Sequence, residues 1–141
     1  MTTKRESILT AIKTAVTGTV GVGARIYRSR VVPLARGESP AIVIEPISDS
    51  SVQNTSLPTL DWTLRVRVAV IVRADVPDQA ADPIIEDMHS KIVSDLSLGG
   101  YAIDVQPESV SFELLDADQP AGVISCEYVV RYRTSVSDLS S

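Results

Sequence analysis

The sequence holds one cysteine, one histidine, one tryptophan and one phenylalanine in 141 residues, and each scarcity closes off a class of function. Cys126 alone cannot form an internal disulfide or a cysteine-based metal site. His89 has no cysteine or second histidine at ligand spacing, and a general base would need a nucleophile and an orienting acid that the sequence does not place. No catalytic, cofactor-binding or metal-binding residue is therefore expected. Long apolar runs are missing too: nothing approaches the roughly 20 residues of a membrane helix, and the charged start Met1–Arg5 leads into an amphipathic stretch. The expectation is a chain made in the cytoplasm without membrane association. A basic excess is also lacking. Lys and Arg number 13 against 18 Asp and Glu, a net charge of −5, which disfavours nucleic-acid binding through bulk electrostatics.

What is present is apolar and regular. An apolar fraction of 44% with 22% charge is that of a folded chain, and this length buries roughly two-thirds of the surface that its unfolded form exposes. With few aromatics, the core must come from Val, Ile and Leu, which occur in alternating runs and favour β structure.

Thr3 and Glu6 have capping-box spacing, and Ile8, Leu9, Ile12 and Val16 recur at helical spacing until Gly18. Gly18, Gly21 and Gly23 lack the Lys-Ser/Thr ending and the preceding strand of a phosphate loop, so they read as a turn into a strand over Arg25–Arg30. Pro33 and Gly37 mark a further turn, and Pro40–Glu45 reads as a buried strand opened by its proline. Ser48–Pro58 is polar and is expected to be a mobile binding loop. Leu60, Trp62, Leu64, Val66, Val68, Val70 and Val72 then give the clearest period-two signal, with Arg65, Arg67 and Arg73 on the opposite face. That row suits either a solvated sheet face or ion pairs with a neighbouring subunit.

Asp82-Pro83 is expected to cap and open a second helix, with Ile85, Met88, Ile92 and Leu96 as its apolar stripe and Gly99-Gly100 as its end. Glu86 and Asp87 are adjacent on that helix and diverge, so they read as a solvated face. Val110, Phe112 and Leu114 alternate with polar neighbours, Asp116–Pro120 forms a turn, and Ile124, Cys126, Tyr128, Val130 and Tyr132 share one face of the last strand. On that face Cys126 behaves as a small hydrophobe. The order is helix, three strands, helix and terminal hairpin. The fold class is α+β, a mostly antiparallel sheet with both helices on one face, as a single domain over 1–136 followed by a Ser-rich tail, 137–141, with nothing to pack.

Three stretches together resemble the tail terminator family, the U-like minor tail proteins of phages with long non-contractile tails. They are Arg25–Leu34 (RIYRSRVVPL), Ser39–Ile44 (SPAIVI), and Asp116–Gly122 (DADQPAG) leading to Tyr132-Arg133-Thr134, together with Leu98-Gly99-Gly100. In order and spacing they span most of the chain. The resemblance implies a hexameric ring that caps the tail tube, stops its polymerisation and docks the head-tail connector, at the tail-neck junction of the virion. DNA would pass through it without specific binding, and no catalytic residues come with it. A heterologous ring needs two different complementary flanks. Arg28, Arg30, Arg65 and Arg67, with Asp49, Gln53 and Asn54 from the polar loop, are the expected contacts to subunits or partners. A head-closure or tail-completion neck protein is the nearest alternative. A ligand-binding α+β module with a pocket between sheet and helices, and a small enzyme, are the readings from other classes.

Overall fold

The expected order of elements is present: α1 (Lys4–Val16), β1 (Ile26–Arg28), β2 (Ala41–Val52), β3 (Thr59–Arg73), α2 (Pro77–Val93), β4 (Asp104–Leu115) and β5 (Ala121–Ser135). The structure is a computed structural model, and it describes residues 2–29, 39–53, 56–115 and 120–141. The strands form one sheet in the order β1-β2-β3-β5-β4. Only β1 and β2 run parallel; every other pair is antiparallel.

Alternation on the two longest strands decides which face is covered. Leu64, Val66, Val68 and Val70 of β3 stand opposite Val130, Tyr128, Cys126 and Ile124 of β5, and all eight are buried. Ile42 and Ile44 of β2 extend the layer. Both helices lie on this face, through Ile8, Leu9, Ile12 and Val16 of α1 and Ala81, Ile84, Met88 and Ile92 of α2. Each such aliphatic side chain stabilises by roughly 1.5–3 kcal/mol relative to leaving it in water.

The cap of α1 is half of what the sequence suggests. The Thr3 hydroxyl accepts from the Glu6 amide at 3.2 Å, but the Glu6 carboxylate turns away to Arg28 instead of back to Thr3. The α2 start differs from expectation. The helix begins at Pro77, and Pro83 lies inside it on the exposed side. Pro77 sits in the first turn, where a missing N–H is harmless. It is also buried over Gly122, where an added Cβ would lie only 2.6 Å from the Pro77 Cβ. The stripe therefore runs Pro77, Ala81, Ile84, Met88, Ile92, not through Leu96, which is exposed. The helix also stops earlier than Gly99-Gly100, at Val93. Beyond it the Asp95 carboxylate accepts from the amides of Ser97 and Gly99, and the resulting turn swings Leu98 into the core.

The stretch expected as a mobile loop from Ser48 is largely strand. Ser48–Val52 pairs with Arg65–Asp61, because the long β3 offers a hydrogen-bonding ladder that polar residues fill as well as apolar ones. To join it, β2 makes a bulge between Pro46 and Ser48, and β4 makes another between Pro107 and Ser109. Both fall on one line across the sheet, Pro46–Val66–Tyr128–Pro107. Proline is tolerated where a bulge interrupts the ladder.

The Ser-rich end, for which the sequence offers nothing to pack, is hydrogen-bonded back onto the domain. The Lys4 amide donates to the Leu139 carbonyl at 2.9 Å and the Ser135 amide to that of Ser141 at 2.8 Å. Hydrogen bonds from the Ser140 hydroxyl and amide and from Ser141 hold the Asp138 carboxyl down to about 2.

Candidate functional site

Of the seven expected contact residues, the five that lie among the described residues fall at separate places. Arg65 and Arg67 sit on the open face of β3, the side away from the helices, as alternation requires. Their charges are engaged within the chain. Arg65 pairs with Glu108, while Arg67 reaches Glu45 at 2.9 Å and Glu127 at 3.8 Å. Further along, Arg133 pairs with Asp61 at 2.6 Å. The open face is thus a lattice of alternating charge across β2, β3, β5 and β4.

Arg28 and Asp49 each reach the first turn of α1 instead, through Glu6 and Arg5. Arg28 makes a two-pronged contact with Glu6 at 3.0 and 3.2 Å, and this hydrogen bond holds the Glu6 carboxyl below its ordinary range. Asp49 is not the solvated loop residue expected. The bulge after Pro46 turns it to the helix side, opposite Leu64, where it accepts from Tyr132 Oη and lies 3.5 Å from Arg5. Burial raises its pKa, outweighing the Tyr132 hydrogen bond and the Arg5 charge. Tyr132 stacks on Trp62, with ring centroids 6.0 Å apart and planes 9° apart. Gln53 is exposed at the end of β2, its amide 3.4 Å from the Leu57 carbonyl. Arg30 and Asn54 lie outside the described residues.

Among the described residues, the buried side-chain polar atoms without a hydrogen-bond partner are Arg28 Nε, Asp49 Oδ1 and Arg67 Nε. All three belong to expected contact residues. Orphaned buried polar atoms are rare in folded chains and call for an explanation.

The residues that could be mistaken for chemistry are occupied structurally. The His89 ring lies against Tyr128, with Nδ1 2.8 Å from its hydroxyl. Asp87 accepts from the Val20 amide at 2.8 Å and from Lys91 at 3.0 Å, fastening α2 to the turn after α1. Cys126 is buried, and burial alone pushes its thiol up to about 11, far from a reactive thiolate. Gly18, Gly21 and Gly23 lie in that turn with positive φ. Among the described residues no three His, Cys, Asp or Glu side chains gather as a metal site, and no helix is long and apolar enough to cross a membrane.

Two surfaces escape sequence reading. One is a groove of about 570 Å³ between α1 and the C-terminal end of α2, walled by Thr10, Ala11 and Thr14 against Ile92, Leu98 and Tyr101. The other is on β4, where Val110, Phe112 and Leu114 are 50%, 65% and 66% exposed. Their alternation was visible in the sequence, but that the helices leave them bare was not.

No family model matches the sequence, and no curated protein does. The fold does have a counterpart among solved structures. The chain superposes on a chain of the virion of the native gene transfer agent (GTA) particle with a TM-score of 0.53. The alignment covers 94% of this chain and 92% of that one at 9% sequence identity. At that identity the likeness is one of fold, and it spans nearly all of both chains.

Proposed function

We propose that this chain is a structural, non-catalytic protein of a phage-like virion, and that it acts as a tail terminator. The observation that carries this reading is the near-complete overlap of its fold with a chain of the gene transfer agent virion. The sequence resemblance to tail terminators supports the finer assignment. In this role copies form a hexameric ring at the tail-neck junction, one side seated on the tail tube protein and the other offered to the head-tail connector. DNA passes through the ring without specific binding, consistent with a net charge of −5.

Assembly by such a ring uses no covalent chemistry, only two complementary flanks and charges that set their register. The lattice around Arg67 and the Arg28–Glu6 pair are the charged features available for register. The test is deletion of the gene in the phage or prophage that encodes it, with lysates viewed by negative-stain electron microscopy. Overlong, headless tails are expected. Tails of normal length beside filled, unjoined heads would move the protein to head closure, and intact virions would overturn the structural reading. Salt-sensitive binding of duplex DNA by the purified chain would overturn the non-sticking passage.

A further inference from the structure

Among the described residues, two surfaces at opposite ends of α2 are left without a partner, and they are unlike. The first is the row Val110, Phe112, Leu114. By register these side chains stand on the helix side of the sheet, opposite Cys126, Ile124 and Gly122. The covering helix begins only at Pro77, over Gly122, and Val76 just before it is exposed as well. β4 is also the outer strand of the sheet, so one backbone edge lies beside the row. Folded proteins usually cover or charge such an edge, and an uncovered apolar one is a template for association.

The second surface is the groove at the other end of α2, where Ala11, Ala15 and the exposed Tyr101 give apolar lining beside Thr10 and Thr14 over a floor of buried Ile92 and Leu98. α2 has 17 residues. At about 1.5 Å per residue, that places row and groove roughly 25 Å apart. One chain therefore cannot fill its own groove with its own row.

Charge matches the two surfaces. Glu113 lies beside the row, on the other face of β4, and Lys13 lies beside Thr14 on α1; both are exposed and have no ion-pair partner among the described residues, whereas Glu108 and Arg5 are already bound by Arg65 and Asp49. The acid within the groove, Asp95, is already bound by Ser97 and Gly99.

We propose that the β4 row of one copy seats in the α1–α2 groove of the next, making a heterologous contact between copies of this chain. The pairwise contact stands on the two surfaces; only the closure of successive contacts into a ring rests on the terminator reading above. Because the patches differ, every open oligomer keeps one free row and one free groove, and closure satisfies both. Three apolar side chains supply only part of the ~800 Å² per partner of a standard interface. Glu113 of one copy facing Lys13 of the next extends the contact and helps set its register.

The experiment uses the purified full chain, with oligomer distribution followed by light scattering on size exclusion and by native mass spectrometry. A row variant, Phe112→Asp with Leu114→Asp, and a groove variant, Thr10→Glu with Thr14→Glu, change exposed positions only. Circular dichroism and thermal melting confirm that both fold. Each variant alone is expected to lose self-association by more than about tenfold, equivalent to about 1.4 kcal/mol. Mixed together, they should form a heterodimer and nothing larger, since one intact row meets one intact groove. In a separate pair, Leu114→Cys and Thr14→Cys introduced together should yield inter-chain disulfides, with the buried Cys126 taking no part.

A wild type that stays monomeric throughout, a row variant that assembles as the wild type does, or variants that fail to complement in the mixture would each overturn the contact. Assembly of the wild type with an unaffected row variant leaves the ring reading intact and removes only this contact. An intact contact together with normal virions after gene deletion removes the terminator reading and leaves the contact standing.

Discussion

On its covered face the sheet presents Ile42, Ile44, Val66, Val68 and Tyr128, all sealed beneath the helices. On its open face, one residue further along each strand, it presents Glu45, Arg65, Arg67 and Glu127, joined by ion pairs to one another or, for Arg65, to Glu108 of β4. The same backbone thus carries two kinds of order. Dense apolar packing on one side supplies most of the folding free energy, whereas exposed charge pairs on the other are individually worth at most about 1 kcal/mol. The open face is consequently where sequence can be given over to partner selection at little cost in stability.

Perturbations of the two faces should differ accordingly. The largest effect is expected from Met88→Ala, which empties a fully buried site beneath α2 and should cost about 2–5 kcal/mol in chemical denaturation. Gly122→Ala follows, because its methyl group would meet Pro77 at 2.6 Å and push the start of α2 off the sheet, a loss of about 1–3 kcal/mol by the same measurement.

Asp49→Asn probes a carboxylate drawn onto the covered side. Burial raises the Asp49 pKa, so the folded chain holds that proton more tightly than the unfolded chain does. Its contribution is favourable below the ordinary aspartate range and is lost as pH rises through the folded value. Melting curves should therefore show the wild type gaining on the variant as pH falls from neutral. Arg65→Ala on the open face should change stability by less than about 1 kcal/mol, with the difference shrinking further in high salt.

The smallest effect is expected from Asp138→Asn, and its sign is opposite to that of Asp49. Hydrogen bonds from Ser140 and Ser141 lower the Asp138 pKa to about 2, so its contribution is present above the unfolded value and lost as pH falls through the folded one. The wild type should lose on this variant in acid. A shift of the same sign for both aspartates would break the contrast between the covered face and the surface.

The fold was legible where alternation or helical spacing coincided with burial. Leu64–Val72 and Ile124–Tyr132 announce their faces, and Ile8–Val16 announces a helix. Ser48–Val52 was not legible, since its strand state comes from pairing with Arg65–Asp61 and not from its own residues. The α2 start was hidden because Asp82-Pro83 imitates a cap, while the true start depends on the space above Gly122, 45 residues later by subtraction of 77 from 122. At the candidate site, the Arg65 and Arg67 row could be read directly. Their partners could not, because Glu45, Glu108 and Glu127 come from three other strands whose register no local pattern encodes. The bare row on β4 reads in sequence as an ordinary half-buried strand, since where a helix ends over a sheet is a property of the assembled layers.

The two bulges act on side chains as a single inserted letter acts on a reading frame. Upstream of Pro46 the even-numbered residues of β2 face the helices; downstream the odd-numbered ones do, which is how Asp49 comes to lie under α1. On β4 the same shift sets Val110, Phe112 and Leu114 on the helix side, with Ser109, Ser111 and Glu113 on the other. Because both insertions lie on the line through Val66 and Tyr128, β2 and β4 change frame together while β3 and β5 between them keep theirs. Removing Glu108, the residue without a partner on β5, would restore an unbroken ladder from Pro107 to Ser109 and leave the apolar row on the helix side. Glu108 is thus the extra letter that lets the odd-numbered frame of Val105 and Pro107 and the even-numbered frame of Val110, Phe112 and Leu114 share one face.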